Sequence, residues 1–237
     1  MLVVEKLSKS YSSGIWGKSV PAVRNVSFHI KKGEAFGLMG KNGSGKSTIA
    51  RLILGLIKAD GGRILFQGKN LLQASKKDWS HFRQKMQIIF QQPLQALDPK
   101  QSIYSAITEP LWVHNRVTSR KSAQEKVEEL LALTSLSTEI LDRRPHQISG
   151  GQAQRVVLAR ALGLNPEILI ADEPTSMLDI SIQAQIMSLL KKLQTERGIS
   201  ILLISHDLSV VKQFCDRMAF IDSGEIIHLS QTDSMPN

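Results

Sequence analysis

Residues 40–48 read "GKNGSGKST", and no other stretch of this 237-residue chain restricts its fold so strongly. Glycine, four residues, glycine, lysine and serine form a phosphate-loop pattern when they lie between a strand and a helix. Both flanks are present: apolar "AFGLMG" runs into the loop, and "KSTIARLILGLI" leaves it with helical spacing. The glycines let successive main-chain N–H groups converge on phosphate oxygens, and the helix start adds its positive dipole end. Gly40, Asn42, Gly43, Ser44, Gly45, Lys46, Ser47 and Thr48 are therefore expected to hold a nucleotide's phosphates. Lys46 should reach the β- and γ-phosphates, and Ser47 should hold Mg²⁺.

Around this loop the chain alternates in period. "MLVVEKLSKSY" and "VRNVSFHI" are β-rich, "GRILFQGKNL" and "MQIIFQQ" read as strands, and Pro93 stops the second. From about Leu94 to Gln147 the spacing becomes helical, with Val127, Leu130, Leu131 and Leu133 expected on one face of "KSAQEKVEELLAL". Helix "QAQRVVLARALGL", strand "EILIADEP", helix "SIQAQIMSLLKKLQTERG", strand "ISILLISHD" and helix "LSVVKQFC" follow. A strand pair, "RMAFIDSGEIIHL", closes the fold, and "SQTDSMPN" reads as a loose tail. Strands alternating with helices predict a parallel sheet wrapped by helices.

Apolar strands deliver the residues after them to the sheet's carboxyl edge. Asp172 should emerge there beside the metal, and Glu173 should polarise the attacking water of a phosphoryl transfer. Gln91 ends another such strand, where it could touch metal or water, and His206 ends a third, within reach of a γ-phosphate. His29, His81, His114, His146 and His228 lack such positions and read as structural. Tyr11, with Trp16 as a rival, could stack on a purine base. Cys215 reads as a buried thiol.

A second cradle complicates this picture. In "QISGGQAQR", Ser149 can cap a helix starting near Gln152, with Gly150 and Gly151 admitting a phosphate. One nucleotide is already enclosed by the first loop, so the second cradle is expected to serve a nucleotide held by another subunit. A head-to-tail pair would close on ATP and loosen on hydrolysis.

Composition narrows the class further. The net charge of +9 comes from scattered basic residues with no aromatic platform interleaved, so no nucleic-acid partner is expected. A single cysteine excludes a disulfide framework, no basic and apolar leader opens the chain, and no apolar run nears the ~18 residues of a membrane span.

The order of phosphate loop, Gln91, "SGGQ", "ILIADEP", "SMLD" and "SHD" resembles the ATP-binding-cassette ATPases over nearly the whole chain. The resemblance implies ATP hydrolysis, with Mg²⁺, in a dimer of cassettes. It assigns Ser149, Gly150, Gly151 and Gln152 to the opposite nucleotide, Asp179 to the loop crossing the dimer interface, and His206 to the γ-phosphate. Ile148 stands where the family usually has leucine, and Met177 where alanine is common, both conservative apolar exchanges. The expected fold is an α/β P-loop NTPase with a parallel-sheet core, an N-terminal antiparallel β subdomain and an inserted α-helical subdomain. Residues 1–93 and 152–237 would form the core, and 94–151 the helical unit ending in the signature.

"FQQPLQALDP", "SMLDISIQAQI" and "HDLSVVKQFCDR" look like the oligopeptide, dipeptide and nickel importer branch. The short end, "LDRRPHQISGGQ" and "LLKKLQ" look more like its nickel or metal-chelate members. That branch implies two transmembrane permease subunits, an extracytoplasmic binding protein and a place on the cytoplasmic membrane face. The segment from Gln91 to about Trp112 would dock a short helix of the membrane subunit. An exporter cassette, or a cassette acting on nucleic acid, is the alternative; the latter usually carries a long coiled-coil insertion or two tandem cassettes.

Overall fold

The computed structural model describes residues 1–12 and 19–232. Two sheets form the framework. The first is antiparallel, in the order β2 (Ser19–Ile30), β1 (Leu2–Ser12), β4 (Gly61–Phe66), β5 (Lys69–Asn70). The second has six strands: β10 (Glu225–Gln231), β9 (Arg217–Asp222), β3 (Ala35–Met39), β8 (Ser200–Ser205), β7 (Ile168–Asp172) and β6 (Met86–Ile89). Five of these run parallel, and only β10 is reversed, by its hairpin with β9.

The central strands are buried on both faces, which is why they read as unbroken apolar runs. Along β8, Leu202 and Ile204 join the core shared with the antiparallel sheet and α1 (Lys46–Ile53), whereas Ile201 and Leu203 join the core shared with the helices. Period-2 alternation thus feeds two separate cores from one strand. Phe28 of β2 stacks on Phe36 of β3 at 5.2 Å, pinning the small sheet to the large one.

Between β6 and β7 lie α3 (Ile103–Val113), α4 (Arg120–Thr134) and α5 (Gly150–Leu162), which pack on one another. After β7, α6 (Ile180–Arg197) and α7 (Leu208–Phe214) return the chain to β8 and β9.

Several local expectations are corrected. In α4 the buried residues are Ala123, Val127, Leu130, Leu131 and Thr134, while Leu133 is only partly buried. At 100° per residue Leu133 points away from Val127 and Thr134 points with it. The Thr134 hydroxyl avoids an unmet hydrogen bond by donating to the Leu130 carbonyl at 2.8 Å. Helix α1 ends at Ile53 rather than continuing toward Ile57, because Gly55 takes a left-handed φ of +62°.

An unexpected helix, α2 (Lys76–Lys85), buries only Phe82 and so carried no apolar period; a Ser75–Asp78 capping box starts it. The tail is also partly tied down. Strand β10 runs through Gln231, and the Thr232 hydroxyl donates to the carbonyls of Cys215 and Asp216 at 2.6 and 3.0 Å. Cys215 is buried as expected, and burial pushes its thiol pKa well up.

Candidate functional site

The parallel strands place their carboxyl ends in one row, since Met39 pairs with Ser205, Asp172 with Ile204 and Ile89 with Ala171. The phosphate loop leaves β3 at this edge. At Gly45, φ is +108° and an added Cβ would lie 2.3 Å from the Ala22 carbonyl oxygen, so only glycine lets the loop pass under β2. At Gly43, φ is +79° and the space beyond is open, leaving the main chain accessible to a ligand.

Lys46 is 5% exposed, and its ammonium donates to the carbonyls of Gly40 and Lys41 at 2.7 and 2.9 Å. Burial lowers its pKa, and the nearby Glu173 and Asp172 carboxylates oppose that shift. A cavity of about 290 Å³ opens over the loop, lined by Asn42, Gly43, Lys46, Ser47, Gln91 and Glu173 among others.

The acidic side of the site is built from the neighbouring strand ends. Ser47 Oγ donates to Asp172 Oδ1 at 3.3 Å. Desolvation raises the Asp172 pKa, the Ser47 hydrogen bond counters it, and the Glu173 charge adds to it. Glu173 takes a left-handed φ of +48°, uncommon for a residue with a side chain, and its N–H donates to the Ile204 carbonyl at 2.9 Å. That turn aims its carboxylate, 12% exposed, between two partners: Gln91 Nε2 donates to Oε2 at 3.0 Å, and His206 Nδ1 lies 3.3 Å from Oε1.

Lys46, Ser47, Gln91, Asp172, Glu173 and His206 are thus brought together from four strand ends. Two further residues belong to the arrangement without any sequence signal. Ser176 Oγ receives Gln91 Nε2 at 3.2 Å, and Ala22 contributes main chain to the cavity wall.

Other expected residues lie elsewhere. Ser149 caps α5, which starts at Gly150 rather than near Gln152, through a reciprocal box: Gln152 N–H donates to Ser149 Oγ at 3.2 Å and Ser149 N–H to Gln152 Oε1 at 3.0 Å. Gly151 is buried against Ile182, where an added Cβ would approach to 2.7 Å. Asp179 caps α6, donated to by Ile182 N–H at 3.0 Å. None of Ser149, Gly150, Gly151, Gln152 and Asp179 lines the phosphate cavity of its own chain. Tyr11 is half-exposed on β1 opposite Val20, at the end of the sheet from which Ala22 reaches the loop. Trp16 lies outside the described residues.

The donor set fits a magnesium–nucleotide. Lysine and open loop main chain suit phosphate oxygens, and the Ser47 hydroxyl, Asp172 carboxylate and Gln91 amide are hard oxygen donors. No cluster of three or more His, Cys, Asp or Glu occurs among the described residues.

The ABC transporter family model matches residues 23–176. The chain is 40% identical over 235 residues to the putative oligopeptide transport ATP-binding protein YkfD of Bacillus subtilis, covering 99% of this chain and 71% of that one. It is 43% identical over 235 residues to the oligopeptide transport ATP-binding protein OppF of Streptococcus mutans, covering 99% and 76%. Among solved structures, the dimeric post-hydrolysis state of the ATP-binding cassette MJ0796 bound to ADP and Pi superposes with a TM-score of 0.90 at 32% identity, covering 99% and 100%. The cassette cbiO1 from Clostridium perfringens, part of the ABC transporter complex cbiONQ, superposes with a TM-score of 0.84 at 32% identity, covering 98% and 88%. With the phosphate loop, the acidic strand end and the capped glycine signature in that order on this fold, the chain belongs to the ABC transporter family as an ATP-hydrolysing cassette.

Proposed function

We propose that this cassette powers uptake through separate membrane subunits, and that it completes its catalytic centre only by pairing with a second cassette. One observation carries the pairing: Ser149 and Gly150 form an exposed, preorganised helix start that its own phosphate cavity does not use. An exposed helix N-terminus with glycines suits an anion, and the neighbouring cassette's ATP is the anion on offer.

In this reading Lys46 and the main chain of residues 40–48 bind and orient the phosphates. Ser47, Asp172 and Gln91 would hold Mg²⁺, which would neutralise negative charge developing during phosphoryl transfer. Glu173 accepts a proton from the attacking water, and His206 positions that carboxylate and reaches the γ-phosphate. Asp179 crosses to the partner, and Tyr11 faces the adenine. Residues 94–151 act as a helical unit carrying the signature toward the opposite nucleotide.

Pairing is tested with Ser149→Ala. A monomeric chain is expected to bind ATP normally, whereas turnover by the assembled pair falls at least about tenfold, the effect of losing one well-placed hydrogen bond to a charged group. The cap itself contributes about 1 kcal/mol, so a melting curve should accompany the assay. Full turnover by Ser149→Ala would remove the signature from catalysis.

Import of small peptides is favoured over nickel or metal chelate by the two relatives, both named for oligopeptide transport. Two permease subunits, a binding protein outside the membrane and a peripheral place on its cytoplasmic face complete the assembly. Among the described residues, no helix is long and apolar enough to cross a membrane. Exposed Phe90, Leu94 and Trp112 support docking of a permease helix near Gln91. A deletion strain should lose growth on peptides while retaining growth at limiting nickel; the reverse pattern would move the cargo to nickel.

A further inference from the structure

Gln154 is 1% exposed, yet neither its amide oxygen nor its amide nitrogen has a hydrogen-bond partner among the described residues. Burying an amide without partners is destabilising, so a folded chain retains one where another state repays it. The position of Gln154 indicates which state. Along α5 an added Cβ at Gly150 would meet the Leu178 side chain at 3.4 Å, and one at Gly151 would meet Ile182 at 2.7 Å. At 100° per residue, Gln154 projects between those two directions, one turn farther along the helix. Its side chain therefore faces the stretch through which the loop after Glu173 enters α6.

This loop joins the catalytic carboxylate to Asp179, and several of its hydrogen bonds are internal turns: Ser176 N–H to the Glu173 carbonyl at 3.3 Å and Leu178 N–H to the Thr175 carbonyl at 3.1 Å. The Thr175 carbonyl is held in addition by Gln183 Nε2 at 3.0 Å. Single-turn bonds of this kind exchange readily when a loop shifts. The helix that carries Ser149 thus abuts the end of this loop and the start of α6, at Leu178 and Ile182, and the unsatisfied amide of Gln154 lies one turn along the same face.

We infer that Gln154 is a positioning residue: its amide is unpaired in the open cassette and becomes hydrogen-bonded to the main chain of the 173–179 loop when two cassettes close on ATP. Closure of the signature onto the opposite nucleotide would then be coupled, inside one chain, to the setting of Glu173. Gln154 touches no reacting atom. It makes the closed arrangement cheaper than the open one by satisfying a group that the open state leaves bare.

The inference rests on the pairing of cassettes proposed above, and Gln154→Met tests it by a pair of effects with opposite sign. Methionine keeps the shape of glutamine and removes the polar atoms. Without nucleotide, Gln154→Met should raise the melting temperature by about 2–4 °C, because an unsatisfied amide is gone. In the assembled transporter, on a Glu173→Gln background that holds the closed state, it should increase the ATP concentration needed for closure by about tenfold, the cost of one lost buried hydrogen bond. A lower or unchanged melting temperature would mean that the amide is already satisfied in place, by a buried water for instance, and would overturn the inference. Unchanged closure would overturn it equally, since a purely structural glutamine leaves that readout alone. The Glu173→Gln parent separates the two ideas: if it closes with ATP and the double variant closes as well, only Gln154 loses its role. If the parent fails to close, pairing and positioning both fall.

Discussion

Glu173→Gln should bind ATP with little change and hydrolyse it about 10²- to 10⁴-fold more slowly, the range associated with removing a positioned general base. The carboxylate sits where strand β7 ends, fixed by a left-handed main chain and by contacts at both of its oxygens, to Gln91 Nε2 and His206 Nδ1. An amide is nearly isosteric but cannot accept the proton that water must lose. One of its two acceptor oxygens has also become NH₂, so it can accept from only one of the two neighbours. Ground-state ATP is held by the phosphate loop, so affinity should be kept while the closed pair accumulates. Phosphate release and nucleotide binding, measured on the same preparation, check this. Wild-type turnover by the variant would strip Glu173 of its role.

Lys46→Ala should reduce ATP affinity by about 10- to 100-fold, the range for charged hydrogen bonds, and turnover should fall with it. The ammonium is buried beneath the loop and tethered to two main-chain carbonyls, so it is preorganised for phosphate. Burial disfavours its charge, and Asp172 and Glu173 offset this. A triphosphate arriving above Lys46 meets a cation that water screens poorly. Truncation also leaves the Gly40 and Lys41 carbonyls without their donor, so loop stability should be followed through the melting temperature. Undiminished nucleotide binding, with the loop intact, would refute the assignment.

Much of this site was legible because its parts are local. The phosphate loop is a contiguous pattern with a strand before it and a helix after it. Asp172 and Glu173 follow a strand whose apolar run marks it as buried on both faces. Ser149, as a helix cap with a glutamine three residues on, is likewise a short-range signal, and only the first helical residue was misplaced, by the width of the cap.

Legibility failed where the burial pattern was weak or the contact was long-range. Helix α2 buries one residue, so no period could announce it. Leu133 lies off the buried face of α4 and Thr134 on it, because helical phase rather than hydrophobicity sets which side chains face the core. Ser176 and Ala22 reach the site as a hydroxyl and a stretch of main chain, and neither carries a compositional mark.

The sequence by itself determined the class of fold, the phosphate loop and the order of the motifs, because each depends on residues adjacent in the chain and on periods of two or 3.6. Only the tertiary structure decided that Gln91 and His206 converge on the Glu173 carboxylate, that the signature stands away from its own phosphate cavity, and that Gln154 is buried without a partner among the described residues. Those facts depend on the register of parallel strands far apart in sequence and on how helices pack against them. Distance and burial are properties of the folded whole, and no local pattern encodes them.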